Sequence, residues 1–242
     1  MLAFIVSTAF AIAPYPHEEL LLKLNAIESH RLNRLAKDAP QIPSSAYRLA
    51  ATGKVASGVD NTSGSGPKKG WGVAIFPLNI NRIWAGVNDE FANSDYSPVS
   101  HTAIIAGQRC QEWRTVAMVL PLPIISDRWW MIDLTTNTKL EADTHGQVQE
   151  LSWKEVVDPS EFPLDTMTAS LTEGQVYVEF SRGAWFLVAL DENHTLGEYY
   201  SWADPGGYIP DGATAFAASS IVDTFKGMYA FTVETPKLKC FK

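Results

Sequence analysis

The chain has 242 residues, of which 46% are hydrophobic and 19% charged, and its formal net charge is -8. That length sets one domain as the default, and the composition supplies a sizeable core and excludes a disordered chain. The negative charge, with no basic run longer than Lys68-Lys69, excludes non-specific nucleic-acid binding, and no apolar stretch is long enough for a membrane span.

The chain opens on MLAFIVSTAFAIA, an apolar segment ending in small residues. Ala9-Phe10-Ala11 fits a small-x-small cleavage pattern, so residues 1–13 read as an export signal, although no Lys or Arg precedes the apolar run. The alternative is an N-terminal helix packed on the domain. With the signal the protein is exported, periplasmic or secreted; without it the protein is cytoplasmic. Residues 16–36 read as a helix. Pro16 opens it, Glu18 and Glu19 suit its first turn, and Arg31 and Arg34 suit its last. Leu20, Leu24, Ile27 and Leu35 make a docking stripe, broadened by Leu21 and Leu32. Pro40 and Pro43 close this N-terminal unit, which spans 14–45, and the main domain occupies 46–242. Residues 47–55 are a strand candidate, and 57–70 (SGVDNTSGSGPKKG) is a loop by composition. A strand over 72–78 precedes a short helix over 79–91, capped by Asn79, with Ile80, Trp84 and Val87 on one face.

From 99 to 203 the chain is nearly all strand: 99–110, 112–120, 127–134, 148–157, 175–180, 184–190 and 195–203. Turn signals separate these segments, among them Thr136-Asn137, His145-Gly146, Thr172-Glu173-Gly174, Arg182-Gly183 and Asp191-Glu192-Asn193. Short connections imply an antiparallel meander. Asp204-Pro205-Gly206-Gly207 is strong turn chemistry. A helix over 210–231 follows, with Ala218, Ile221, Val222, Phe225, Met228 and Tyr229 on one wide apolar face. It would run roughly 33 Å, enough to span a long-stranded sheet. Strands segregated from helices make the fold α+β.

Motifs of catalysis are scarce. There is no Gly-rich phosphate loop, Gly-x-Ser-x-Gly or His-Glu-x-x-His, and the five histidines are scattered. Cys110 and Cys240 have neither metal nor redox spacing. They could pair in an oxidising compartment, but the plainer reading is two separate thiols, one on a strand and one in the tail. Alternation places Arg128, Trp130, Ile132 and Leu134 on one strand face, and Trp185, Leu187 and Ala189 on one face of another. Arg128 beside Asp127 is a candidate internal charged pair, and Arg109 and Arg114 are further candidates for a buried cation; for each, a surface charge is the preferred reading unless strand parity points inward. Most of the eight tryptophans fall on strands, where such side chains fill a core or line a cavity. Taken singly, filling a core is the preferred reading.

Four stretches together resemble one family. These are 71–91 (WGVAIFPLNINRIWAGVNDEF), 121–132 (PLPIISDRWWMI), 183–200 (GAWFLVALDENHTLGEYY) and 204–210 (DPGGYIP). In order and spacing they resemble the START-like lipid-binding domains of the Bet v 1-like superfamily, over roughly 46–233. The resemblance implies a helix-grip fold, a curved antiparallel sheet wrapped around a long C-terminal helix, here with an extra N-terminal helix. It implies a tunnel between sheet and helix that binds, transports or senses a lipid or other hydrophobic small molecule. It further implies no obligatory cofactor; the charge and the residue spacing add the expectation of no nucleic-acid partner and no metal, and a monomer with transient membrane contact is expected. The residues expected against the ligand are Trp84, Trp113, Arg128, Trp130, Ile132, Trp185, Leu187, Tyr199, Ile221, Phe225 and Met228. Pro205, Gly206 and Gly207 are the expected hinge of a gate. The alternative is an enzyme of the polyketide cyclase/aromatase type on the same fold, drawing on Arg128, Arg114, His101 or Tyr199 as a polar group deep in the pocket. A third reading is an interaction domain with a filled core.

Overall fold

The computed structural model describes residues 14–60, 67–89, 96–122, 125–207, 213–235 and 240. The candidate export signal at 1–13 and Pro210 lie outside them. Helix α1 (His17–Arg31) follows Pro16 and buries Leu20, Leu24 and Ile27, one stripe at i, i+4 and i+7. It stops five residues short of the expected 36. The backbone N–H groups of Leu35 and Ala36 donate instead to the Glu150 carboxylate, at 2.7 and 3.3 Å, and Leu32 and Leu35 are left exposed. Helix α2 (Ser44–Ala51) replaces the strand expected at 47–55. Its SSAYRLAA run has no β-branched residue, and Ala46 and Ala50, one turn apart, go down onto the sheet. Strands β1 (Ala56–Asp60) and β2 (Lys69–Phe76) take both ends of the expected 57–70 loop. In α3 (Ile80–Val87), Asn79 caps as expected, its Oδ1 accepting from the Arg82 N–H at 2.9 Å.

The later strands are β3 (His101–Gly107), β4 (Trp113–Leu120), β5 (Arg128–Thr136), β6 (Val148–Glu155), β7 (Val176–Tyr177), β8 (Phe180–Ala189) and β9 (Thr195–Asp204). Two short helices lie where the residues signalled only turns or connections. These are α4 (Thr138–Asp143), capped by Asn137, and α5 (Thr166–Thr172), capped by Asp165, which accepts from the N–H groups of Met167 and Thr168. Arg182-Gly183 is no turn. β8 runs straight through it, and the missing side chain of Gly183 admits the Trp153 ring, which an added Cβ would meet at 2.0 Å.

The described strands form a nine-stranded sheet in the order β1-β2-β9-β8-β6-β5-β4-β3, antiparallel throughout except that β7 pairs parallel with β5. The sheet curves around the last helix, α6 (Ala213–Glu234), so this is the expected α+β helix-grip architecture. At 22 residues α6 is about 33 Å long. Period two divides each strand between the faces. Gly72 and Phe76 of β2 turn towards α6: Phe76 stacks on Phe225 at 5.7 Å, and a Cβ on Gly72 would come within 2.6 Å of Ile221 and 2.7 Å of Phe225. A bare backbone at Gly72 lets the helix lie down on the sheet.

On the opposite face α1 is tied down by buried charge. Glu150, Phe186 and Glu198 lie side by side across β6, β8 and β9. The guanidiniums of Arg31 and Arg34 lie 5.0 and 4.3 Å from the Phe186 ring centroid and donate to the two carboxylates. Tyr47 of α2 donates to Glu198 at 2.8 Å, and Asn137 to Glu150 at 2.8 Å. Burial alone would push the Glu198 carboxyl up; Arg31, Arg34 and the Tyr47 hydroxyl outweigh it and hold the group below the usual carboxylate range.

The reading of two separate thiols is overturned. Cys110, in the β3–β4 turn, forms a disulfide with Cys240, with Cα atoms 5.3 Å apart. Cysteines 130 positions apart give no spacing signal; only the fold brings the two ends together.

Candidate functional site

Between the concave face of the sheet and α6 lies a cavity of about 400 Å³. Four alternate residues of β5, Arg128, Trp130, Ile132 and Leu134, all line it, as the alternation predicts. From the first to the last is roughly 20 Å of strand at ~3.3 Å per residue. Trp153, Trp185 and Tyr199 add aromatic wall from β6, β8 and β9, and Met228 closes the helix side. The apolar end, by Val87, Leu134, Leu151 and Met228, lies under α3 and the second half of α6. The other end, by Arg128, Ser181, Ser201 and Pro205, is polar.

Of the residues expected against a ligand, Arg128, Trp130, Ile132, Trp185, Tyr199 and Met228 come together on this cavity. Trp84, Leu187, Ile221 and Phe225 are buried in the surrounding core instead. Ile221 and Phe225 are turned to β2, where the glycines admit them. Trp113 is 45% exposed at the start of β4 and stands off the cavity, because the lining residues of that strand are Met118 and Leu120, of the opposite parity. Those two were legible from alternation, since they sit directly across from Trp130 and Arg128. Ser181, Ser201 and Trp153 were not, because small hydroxyl residues and a lone tryptophan carry no facing signal until the strand register is known.

Arg128 is 3% exposed and clamps the turn before α6. Its Nε donates to the Pro205 carbonyl at 2.7 Å, its Nη2 to the Gly206 carbonyl at 3.1 Å, and its Nη1 to that of Ser126. Asp127, expected as its partner, instead accepts from the Leu122 N–H at 3.0 Å. The clamped turn is the expected hinge before α6. Gly206 and Gly207 have φ of 60 and 62, left-handed values that suit glycine, and Asp204 accepts from the Gly206 N–H at 3.0 Å. Deeper in, burial pushes the Tyr199 hydroxyl up to about 12, against a smaller opposing effect of its hydrogen bond with Ser201, so it is neutral at physiological pH.

The other polar candidates lie elsewhere. Arg114 is fully buried and donates to the carbonyls of Gln111 and Asn88, at 2.9 and 3.2 Å. Arg109 pairs with buried Asp89. His101 Nε2 lies 2.9 Å from Thr168 Oγ1 on α5. Among the described residues no group of three or more His, Cys, Asp or Glu is placed to hold a metal ion.

No family model matches the chain, and no curated protein sequence is similar to it. Solved structures are. A STAR-related lipid transfer protein fragment from Xanthomonas axonopodis superposes with a TM-score of 0.59 at 19% identity, covering 74% of this chain and 93% of that one. Human STARD10 gives 0.62 at 13% identity, over 88% and 80% of the two chains. Human StAR-related lipid transfer protein 5 gives 0.58 at 12%, over 91% and 99%. The chain has a START-like, Bet v 1-like fold. In this START-like fold the cavity occupies the space between sheet and C-terminal helix, and α1 with its ion network is packed on the sheet's outer face.

Proposed function

We propose that this protein binds one lipid or other hydrophobic small molecule between its sheet and α6, and carries or senses it. The observation that supports this is the cavity of about 400 Å³ with three tryptophans, Trp130, Trp153 and Trp185, in its wall. That volume falls within the range of about 300–1,000 Å³ typical of small-molecule sites. Each methylene moved from water into such a space contributes roughly 0.8 kcal/mol, so an acyl chain or ring system binds there without special chemistry. The two polar groups on the wall are a Tyr199 hydroxyl that keeps its proton at physiological pH and an Arg128 guanidinium that donates to the turn before α6. The Cys110–Cys240 disulfide supports export to an oxidising compartment.

Native mass spectrometry of purified protein, then solvent extraction, tests the reading. A stoichiometric hydrophobic adduct that leaves on extraction and rebinds to the stripped protein is the expected result. Stripped protein that takes up no fatty acid, sterol or phospholipid from a broad panel would overturn it.

A further inference from the structure

Resting on that reading, we infer that the ligand is a neutral fused-ring molecule whose polar atom is a hydrogen-bond acceptor, a ketone or ester carbonyl, and that this oxygen is taken by the Tyr199–Ser201 hydroxyl pair.

The cavity wall is rich in donors and poor in acceptors. The indole N–H groups of Trp130, Trp153 and Trp185 meet no acceptor among the described residues, whereas that of Trp202, which does not line the cavity, donates to the Pro67 carbonyl at 2.9 Å. A buried indole N–H ordinarily finds a partner. The Ser181 hydroxyl is likewise without one among the described residues. Tyr199 and Ser201 stand two apart on β9, on one face, and share a hydrogen bond between their hydroxyls. Two hydroxyls carry two hydrogens, so one is left over whichever of them donates. Arg128, the one charged side chain on the described wall, is also a donor only. Against these, no Asp, Glu, Asn, Gln or His is among the described lining residues. An amine in this space sets its N–H groups against other donors; a carbonyl oxygen gives the left-over hydrogen an acceptor. That hydrogen bond is strengthened because it continues the one between Tyr199 and Ser201, away from bulk water.

The rings beside it choose the rest of the molecule. Trp185 lies directly across from Tyr199 in the β8–β9 register, and Trp153 across from Gly183 in the β6–β8 register. Their ring centroids are 4.8 and 5.7 Å from that of Tyr199, so three strands present contiguous aromatic surface next to the hydroxyl pair. Ring faces and edges reward a flat ring system beyond the area it buries, which an acyl chain does not match.

The test uses the stripped full chain and three probes on one skeleton: fluorenone, which adds a carbonyl; fluorene, which has no polar atom; and aminofluorene, which adds N–H donors. Equilibrium dialysis at pH 7.5 gives the affinities. One neutral hydrogen bond predicts that fluorenone binds about fivefold tighter than fluorene, with the amine weakest. Tyr199→Phe combined with Ser201→Ala brings the ketone-to-hydrocarbon ratio close to one. A second measurement needs no variant: the infrared carbonyl stretch of bound fluorenone moves to lower wavenumber than in hexane. Equal affinities for ketone and hydrocarbon, a ketone preference that survives the double substitution, an amine that binds tightest, or a carbonyl stretch unchanged from hexane would each overturn the inference while leaving the binding reading intact. So would uptake of none of the three by protein that does bind a lipid. Failure of all three probes, together with a blank lipid panel, would bring down both.

Discussion

Two aromatics between the sheet and α6 show how much depends on which side of a side chain is packed. Phe225 is 0% exposed and touches Phe76, Trp185 and Tyr199, with ring centroids 5.7, 5.1 and 6.4 Å away. Trp130, half-buried, has the cavity on one side. Phe225→Ala empties a filled site and should cost about 3–5 kcal/mol of stability. Trp130→Leu removes wall that faces open space, so it should cost under about 1.5 kcal/mol yet weaken the ligand about tenfold. Urea midpoints and titration of the extracted ligand check the pair, and a reversal of the two stability costs would show that Trp130 is core and the cavity is filled. Gly72→Ala tests the seat of the helix from the other direction. The new Cβ would come within 2.6 Å of Ile221 Cγ2 and 2.7 Å of the Phe225 ring, so α6 or the rings must shift, at about 1–3 kcal/mol. An unchanged urea midpoint would mean that α6 is not held against β2 as described.

Whether α1 is a fixed part of the fold depends on Glu198, whose side chain is 2% exposed and bonded to Arg31, Arg34 and Tyr47. Its pKa is lower folded than unfolded. The stabilisation it gives is therefore complete above the unfolded value, about 4.3 for a glutamate, and is lost as pH falls from there through the folded value. Glu198→Gln leaves the arginines buried against a neutral partner and should cost about 3–5 kcal/mol at pH 7. As pH falls below the unfolded value the wild type progressively loses this contribution and the variant does not, so the gap between the two proteins should narrow steadily towards pH 3. Melting curves of both from pH 7 to 3 measure this; a gap of constant width would mean that Glu198 contributes nothing through its charge. This network also marks where the sequence stops being legible. The stripe Leu20, Leu24 and Ile27 announced α1, but its early end depends on Glu150, more than a hundred residues away, accepting from the Leu35 and Ala36 N–H groups. Asn79 with its apolar face announced α3, whereas Asn137 read as a turn residue and Asp165 gave no signal, because the helices they cap are too short to show a period. The β5 face of the cavity followed from alternation alone. Phe225 and Ile221 were placed on the right side of α6 yet not separated from the cavity wall, because the space between helix and sheet depends on Gly70 and Gly72 across it. Trp113 was misplaced by taking aromatic character for direction.

For the whole molecule, the grip depends on how the long helix is fastened at its two ends. At the start, Arg128 clamps the turn that leads into it. Towards the end, Arg82 of α3 donates to the carbonyls of Thr232 and Thr235, and the chain beyond is joined through Cys240 to the β3–β4 turn. The disulfide thus connects the C-terminal end of α6 to the edge strand farthest from β1 in the sheet order, closing a loop that contains most of the sheet. Cross-linking residues 130 positions apart removes much of the freedom of the unfolded chain, about 5 kcal/mol in the chain-entropy treatment, with about 2–5 kcal/mol the usual range for native bonds. For a chain of this size that is a fall of roughly 5–15 °C in Tm on reduction. Two controls separate the cross-link from other effects of reductant. The double variant Cys110→Ser, Cys240→Ser should melt as low as the reduced wild type and show no further response to dithiothreitol. Alkylation of the unfolded, unreduced protein should add no mass. If reductant leaves Tm unmoved, or if both thiols alkylate without it, the tail is not fastened, and α6 is held by its packing and the Arg82 bonds alone.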